Sequence, residues 1–145
     1  MKKHIIDLRI TFVDRLHPRY VLIKGTPADG SRLPEMLPGQ FAQLKVEGSP
    51  ETYLRRPISI HDVTSDTVTS TNKGEEVSFL IALAGKGTRQ LATLKVGDTL
   101  NCIIPLGRGF SMPTTDAPRI LLCGGGVGIA PLLLMGRRMK EAGFE

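Results

Sequence analysis

The sequence predicts a mainly β protein: a six-stranded antiparallel β-barrel over residues 1–112, followed by the first βα unit of a truncated nucleotide-binding α/β domain over residues 113–145. Short segments of alternating apolar and polar residues recur along the first part of the chain, separated by turns that contain Pro or Gly. One short helical pattern, at residues 89–94, interrupts them. After residue 118 the pattern changes to an apolar strand, a glycine-rich turn and a helix, which is how a parallel α/β domain begins.

Each predicted strand depends on its own apolar pattern. The first two strands are separated by His17-Pro18, because proline cannot donate a hydrogen bond to a strand ladder. The third alternates cleanly and predicts one solvent-facing side. The six strands are predicted at residues 3–16, 19–25, 39–46, 54–60, 77–84 and 100–104, with a loop at 26–38 and polar connections at 63–76 and 111–118.

The C-terminal pattern predicts a buried strand at residues 119–123, a tight turn at 124–128 and a helix at 129–142. A single βα unit cannot bury both faces of its strand. We therefore expect this α/β domain to be incomplete here, with its unit packed on the barrel or paired with a second copy. The exposed strand edge is a reason to expect self-association.

Composition indicates an ordinary globular protein, with 41% hydrophobic and 23% charged residues among 145. No apolar run approaches the roughly 18 to 20 residues that a membrane span needs, and no signal-peptide pattern opens the chain, so we expect a cytoplasmic protein. The net charge of +5 could suggest a nucleic-acid partner. However, the basic residues are scattered and there are 5 Phe, 2 Tyr and no Trp, so platforms for stacking bases are scarce.

The reactive side chains do not form a hydrolytic or metal-binding pattern. Cys102 and Cys123 lie in aliphatic segments and are predicted to be buried thiols in a reducing compartment. Two cysteines cannot ligate an iron–sulfur cluster, which takes four thiolates. His4, His17 and His61 are dispersed, and no Ser stands in a nucleophile elbow. We therefore expect no catalytic side chain and no metal site, and instead redox chemistry carried by a bound cofactor.

The heptapeptide 54–60, LRRPISI, is the first candidate site. Arg56 carries a planar fork of donors suited to a diphosphate, and Pro57 fixes φ and removes a backbone donor. Ser59 can offer a hydroxyl to a ring nitrogen. A flavin dinucleotide, anionic at one end and flat elsewhere, suits such a strand. The alternative is an ordinary barrel strand with two solvated arginines.

A second candidate is the turn at residues 85–88, GKGT, between a predicted strand and a helix. Its backbone N–H groups can converge on an anion, and Gly87 lets a phosphate approach closely, which predicts a pyrophosphate site. Lys86 is either a phosphate contact or only a surface charge. The alternative for the whole turn is a glycine-rich connection that closes a barrel strand.

A third candidate is the run at residues 124–131, GGGVGIAP, which also follows a strand and opens a helix. Its candidate dinucleotide contacts are Gly125, Gly126, Val127 and Gly128. It lacks the downstream acidic residue of the standard fingerprint. The alternative is that these glycines serve only close packing between helix and strand.

Taken in order with Gly97-Asp98 and residues 105–110, PLGRGF, these motifs resemble the ferredoxin reductase-like flavoprotein superfamily. Within this superfamily, the residues of these motifs are most similar to those of the electron transfer subunits of NAD-dependent dihydroorotate dehydrogenase, and the resemblance covers essentially the whole chain. The resemblance implies an FAD-binding barrel joined to an NAD-binding α/β domain. It implies that FAD is held by Arg56, Pro57, Ile58 and Ser59, by backbone groups of Leu80, Ile81 and Ala82, and by Gly87 and Thr88 at the pyrophosphate.

One departure from the family concerns Ile81 and Ala82, where relatives often carry an aromatic and a basic residue. Side-chain contacts at these positions are therefore not implied, although backbone contacts are.

In such relatives NADH reduces FAD, a [2Fe–2S] cluster relays single electrons, and a partner subunit with FMN exchanges them with dihydroorotate and orotate in pyrimidine biosynthesis. The family assembles as a heterotetramer with that catalytic subunit. This chain lacks the cysteine-rich segment that holds the cluster and most of the nicotinamide domain. We therefore expect FAD binding, but neither efficient NADH oxidation nor electron relay by this chain alone. Two alternatives stay open: the flavin subunit of another iron–sulfur reductase, of ferredoxin:NADP or sulfide reductase type, and a cofactor-free barrel that serves assembly.

Overall fold

A computed structural model describes residues 2–64, 75–114 and 119–144. Within these ranges the protein is mainly β, as predicted. None of the described helices is long and apolar enough to cross a bilayer. The elements are β1 (His4–His17), β2 (Tyr20–Pro27), β3 (Phe41–Leu44), β4 (Arg56–Ser59), β5 (Asp62–Thr64), β6 (Glu76–Ala82), α1 (Lys86–Leu91), β7 (Thr99–Leu106), a 3-10 turn (Gly126–Ile129) and α2 (Leu132–Glu141).

The predicted count of six strands was wrong, because the described residues form seven. The added strand, β5, lies where a polar connection was predicted. Its three residues are too few to show a period, and they form a strand only because they pair with β6, from Asp62 opposite Ser78 to Thr64 opposite Glu76. Residues 65–74 of that predicted connection lie outside the described residues, as do residues 115–118 of the second connection.

All strands form one antiparallel sheet in the order β4-β3-β7-β1-β2-β6-β5. The two edge strands, β4 and β5, are consecutive in the chain and separated only by residues 60–61. The three Cα–Cα steps from Ser59 to Asp62 span at most about 11 Å. The sheet must therefore curl until its edges approach each other, which gives a half-closed barrel that we call the barrel below.

Alternation along the strands builds one core inside this curled sheet. In β2 every second residue is buried, and β6 and β7 contribute buried aliphatic and aromatic side chains from the other side. The largest of these side chains are Leu8, Ile10, Ile23, Leu44, Phe79, Ile81 and Ile104. Leu134 of α2 belongs to the same buried cluster, so the C-terminal helix packs on the barrel.

The prediction of a buried strand at residues 119–123 was wrong. No residue of this segment is paired in a ladder among the described residues. Ile120 and Leu122 are half-buried, whereas Leu121 is 90% exposed and Cys123 is exposed. The alternation of a strand is present, but a strand needs a neighbour to satisfy its N–H and C=O groups. The predicted burial of Cys123 fails for this reason, while that of Cys102 is confirmed. Self-association through this segment stays a prediction.

Candidate functional site

The candidate site is the region between β4 and residues 80–82 of β6, which we call the seam. β5 pairs with β6 only as far as Ser78, whose carbonyl accepts the N–H of His61 at 2.9 Å. Beyond Ser78, β6 pairs with β2 on one side. On its other side β4 lies close by, but no ladder joins the two strands within the part of the chain that the structure describes.

Backbone groups of β6 face the seam at alternate residues. In an antiparallel strand the N–H and C=O of one residue point to the same edge, and the direction alternates along the strand. Because the Ser78 carbonyl points toward β5, the backbone groups of Leu80 and Ala82 face the seam. Those of Ile81 face β2, and its side chain is fully buried in the core. Leu80 and Ala82 thus fit backbone contacts to a ligand better than Ile81 does.

The two predicted phosphate contacts lie side by side. The Nε atom of Arg56 is 2.5 Å from the point where a Cβ on Gly87 would stand, so this arginine packs directly over the glycine. Thr52 approaches the same point at 3.0 Å. Within residues 2–64, 75–114 and 119–144, no group forms a hydrogen bond or ion pair with the Arg56 guanidinium. The fold thus brings β4 and the turn at 85–88 together and leaves the donors of Arg56 available.

The neighbouring Arg55 has a structural role. Its Nη1 donates to the carbonyls of Gln43 and Asn101, each at 3.2 Å, and its Nη2 donates to the Asn101 side chain. These bonds connect β3 with β7. The two arginines therefore diverge, as expected for adjacent residues in an extended chain.

The side chains of β4 do not all share one face. Arg56 stands opposite Leu44 in the β3–β4 register, and Leu44 is buried in the core. Because side chains alternate along a strand, Ile58 shares the face of Arg56, while Pro57 and Ser59 lie on the other face. The Ser59 hydroxyl therefore projects away from the Arg56 face, which the sequence pattern did not predict.

The turn at residues 85–88 is held by its own threonine. The Thr88 hydroxyl accepts the N–H of Gly85 at 3.1 Å and donates to the carbonyl of Gly85 at 3.0 Å. Lys86 is exposed and forms an ion pair with Glu51, which fits a surface charge. A Cβ on Gly85 would meet nothing within 4 Å, so there is open space beside this backbone. The turn is therefore held in shape by Thr88 and is uncrowded at its first residue.

The glycines at 124–128 differ in what surrounds them. A Cβ on Gly124 would lie 2.9 Å from the Leu132 side chain, so close packing explains that glycine. Gly126 has φ +54°, which disfavours a side chain. At Gly125 and Gly128 a Cβ would meet nothing within 4 Å. Packing alone does not explain the run, and its open positions fit the approach of a ligand.

This glycine-rich turn lies beside the seam. The Tyr20 hydroxyl is 3.8 Å from the point where a Cβ on Gly126 would stand, and Tyr20 pairs with Ala82 at the end of β6. The His61 ring donates from Nδ1 to the carbonyl of Ala130 at 2.6 Å. The three predicted motifs therefore meet in one region. Sequence reasoning missed Tyr20, because nothing local marks a contact that only the tertiary fold creates.

The described residues provide no metal centre beside the seam. Among them, no group of three or more His, Cys, Asp or Glu side chains could hold a metal ion. An iron–sulfur cluster takes four thiolates, and the sequence contains two cysteines, Cys102 and Cys123. These two residues therefore cannot hold such a cluster by themselves.

The curled antiparallel sheet matches the ferredoxin reductase-like fold of solved structures. Phthalate dioxygenase reductase matches with a TM-score of 0.73 at 20% identity, over 97% of this chain and 41% of that one. An NADH-dependent reduced ferredoxin-NADP oxidoreductase structure matches with a TM-score of 0.74 at 26% identity, over 95% of this chain and 45% of that one.

Relatives found by sequence similarity indicate a particular group within this fold. The dihydroorotate dehydrogenase B (NAD(+)) electron transfer subunit of Shouchella clausii is 39% identical over 109 residues, covering 73% of this chain and 39% of that protein. The Listeria monocytogenes subunit of the same name is 40% identical over 113 residues, covering 76% and 41%. No protein-family model matches. The chain is a homologue of these electron transfer subunits, which confirms the resemblance. It spans about two fifths of the length of these curated relatives.

Proposed function

We propose that this chain is the FAD-binding portion of an electron transfer subunit, with FAD held along the seam. One observation carries the proposal: Arg56 lies over Gly87 with its guanidinium donors unused by the described residues. A cation beside a glycine-containing turn is an arrangement suited to a diphosphate, since the arginine and the backbone N–H groups of the turn can share its oxygens.

The site residues follow from this placement. Arg56, Gly87 and Thr88 lie at the diphosphate, Thr88 by holding the turn in shape. Ile58 of β4 and the backbone groups of Leu80 and Ala82 in β6 border the rest of the cofactor. Pro57 and Ser59 border it from the other face of β4, and Ile81 contributes only by holding the strand that presents Leu80 and Ala82. Bound FAD would supply the redox chemistry, accepting electrons as a pair and passing them on singly.

The C-terminal part extends this assignment to a second dinucleotide. We assign residues 1–112 to the FAD-binding domain and residues 113–145 to the start of an NAD-binding domain. Gly125, Gly126, Val127 and Gly128 are the proposed NAD contacts. Two observations support this: Gly125 and Gly128 border open space, and the turn lies next to the end of β6.

The role of the whole protein is also a proposal. The name of its relatives suggests that the whole protein transfers electrons between NAD and the oxidation of dihydroorotate. Pyrimidine biosynthesis as the pathway and a catalytic FMN-containing subunit as the partner are what the family resemblance implies. A heterotetramer of the two subunits is the assembly that the family resemblance implies. No step is assigned to an iron–sulfur cluster in this chain, because its two thiols do not fit one.

A flavin titration of the purified chain tests the proposal. We expect stoichiometric binding of FAD, seen as a yellow chromophore that survives removal of excess ligand. FMN is the control, because it lacks the diphosphate that Arg56 and the turn would hold, and it should not replace FAD. Protein that stays colourless after incubation with FAD would contradict the proposal and favour a cofactor-free barrel that serves assembly.

A second candidate is the equivalent flavin subunit of another NAD(P)H-dependent iron–sulfur reductase. It is favoured by the likeness to the NADH-dependent reduced ferredoxin-NADP oxidoreductase structure, at 26% identity. Reconstitution with a dihydroorotate-oxidising catalytic subunit separates the two. A stable complex of this chain with that subunit supports the first assignment, and a failure to associate with it supports the second. Electron transfer is not the readout, because this chain lacks the cluster that relays electrons between the two flavins in the relatives.

A further inference from the structure

The residues that follow β4 connect the seam to the C-terminal segment. The ring of His61 donates to the carbonyl of Ala130, which is 1% exposed. The next residue, Asp62, forms an ion pair with Arg137 of α2, with 2.5 Å between Oδ2 and Nη2. Two consecutive residues thus hold both the end of the glycine-rich turn and the helix that follows it.

The chain between β4 and these contacts has little freedom. The N–H of Ile60 donates to the carbonyl of Gln40 at 3.0 Å, and the N–H of His61 donates to the carbonyl of Ser78 at 2.9 Å. Ile60 is fully buried. A shift of α2 that moved His61 and Asp62 would therefore displace Ser59 and the rest of β4, because no loose segment lies between them.

The Asp62 carboxylate depends on α2. It is 6% exposed, and its Oδ1 accepts the N–H of Val63 at 2.9 Å. Arg137 supplies its positive partner. The Asp62 side chain is 9% exposed, whereas that of Arg137 is 39% exposed. Removing Arg137 while Asp62 stays covered by the fold leaves a poorly hydrated charge without its partner, which is unfavourable. The ion pair therefore favours the docked position of α2 beside β5.

We propose that His61 and Asp62 are positioning residues that couple FAD binding in the seam to the docking of the glycine-rich turn and α2 on the barrel. The proposal rests on the proposed FAD site, and neither residue is assigned a contact with FAD. Coupling of this kind is reciprocal: docked α2 strengthens FAD binding by the same factor by which FAD strengthens docking. It would hold the proposed NAD turn at a fixed position relative to the flavin.

The test uses the full chain and its variants Asp62→Asn, Arg137→Gln, the double variant, and His61→Ala. Arg138→Gln is the matched control, because it removes the same charge from the same helix but from a residue that pairs with Glu141. The dissociation constant for FAD is measured by fluorescence titration. The rate at which a protease cleaves the C-terminal segment is measured with and without FAD, and thermal unfolding checks that each variant is folded.

We expect the three single variants to bind FAD about tenfold more weakly, within the range typical of coupled sites. The double variant should bind FAD no more weakly than Asp62→Asn or Arg137→Gln alone. Arg137→Lys, which keeps the positive charge, should bind FAD nearly as tightly as the wild type. FAD should slow cleavage in the wild type and in Arg138→Gln, but not in the coupled variants. Variants that are cleaved faster yet bind FAD like the wild type would overturn the coupling while leaving the FAD site intact. A wild type without FAD binding would overturn both.

Discussion

Arg56 occupies the space that a side chain at position 87 would need, with its Nε atom 2.5 Å from the missing Cβ. The arginine and the glycine belong to different motifs, one opening β4 and one in the turn after β6. Each motif alone has an ordinary structural explanation. Their contact supports a common role in binding an anion, because a cation held over a glycine-containing turn is suited to that task.

The first prediction compares the two adjacent arginines. Arg56→Ala should weaken FAD binding by one to two orders of magnitude while leaving the midpoint of thermal unfolding of the apoprotein nearly unchanged. Arg55→Ala should lower the free energy of unfolding by about 1–3 kcal/mol, because it removes hydrogen bonds that connect β3 with β7. FAD titration and urea denaturation measure the two effects. Equal loss of FAD affinity in both variants would contradict the role of Arg56.

The second prediction concerns the glycines of the turn. Gly87→Ala should displace Arg56, because the new methyl group would lie 2.5 Å from its Nε, and FAD affinity should fall. Gly85→Ala is the control, since its Cβ would meet nothing within 4 Å and its φ of −145° suits any residue. Calorimetric titration with FAD measures both. A larger effect from Gly85→Ala would show that open space beside that backbone, and not the position of Arg56, decides affinity.

The third prediction concerns Gln40, which is fully buried. Its side-chain oxygen accepts the N–H of Leu37 at 2.7 Å, and its amide donates to the carbonyl of Gly107 at 3.0 Å. Gln40→Met keeps the volume but removes both hydrogen bonds, at about 0.5–1.5 kcal/mol for each bond. Urea denaturation should show this loss. Gln43→Met, on the same barrel wall but half-buried, should unfold close to the wild-type midpoint.

The fourth prediction concerns the thiols. At pH 8 an aromatic disulfide reagent should react quickly with Cys123, which is exposed, and slowly with Cys102, which is buried and whose pKa is raised to about 12 by burial. Cys123→Ser should therefore remove the fast phase of the reaction. A fast phase that survives in Cys123→Ser would show that Cys102 is accessible.

The raised pKa of Cys102 also predicts a dependence of stability on pH. An unfolded thiol loses its proton near pH 9.0, whereas the native thiol keeps it to about pH 12. Unfolding therefore releases a proton in this window, and the free energy of unfolding falls as pH rises through it. Below pH 9 the contribution is fully present. Cys102→Ala should show a shallower alkaline decline in chemical denaturation.

The sequence was most informative where a motif is local. The arginine strand, the turn at 85–88 and the glycine run were each recognisable from spacing, and the structure brings them together at the seam. It was least informative where a partner decides the conformation. β5 is too short to have a period and exists through its pairing with β6, while residues 119–123 have a strand pattern but no neighbour among the described residues. The Asp62–Arg137 pair joins residues far apart in the chain, and no local signal marks it.

The pairing of β1 with β7 has a consequence for how the protein is made. His4 lies opposite Ile104 and Arg9 opposite Thr99. The strand β1 can therefore pair with β7, its second neighbour in the sheet, only after nearly the whole barrel has been synthesised. On a ribosome, which releases the chain from its N-terminus, Leu8 and Ile10 stay partly uncovered until β7 emerges. Contacts of such long sequence separation are slow to form. The nascent barrel therefore exposes apolar surface of β1 until β7 has emerged. The helix α2 follows β7 in the chain, so it emerges only after every strand on which it docks.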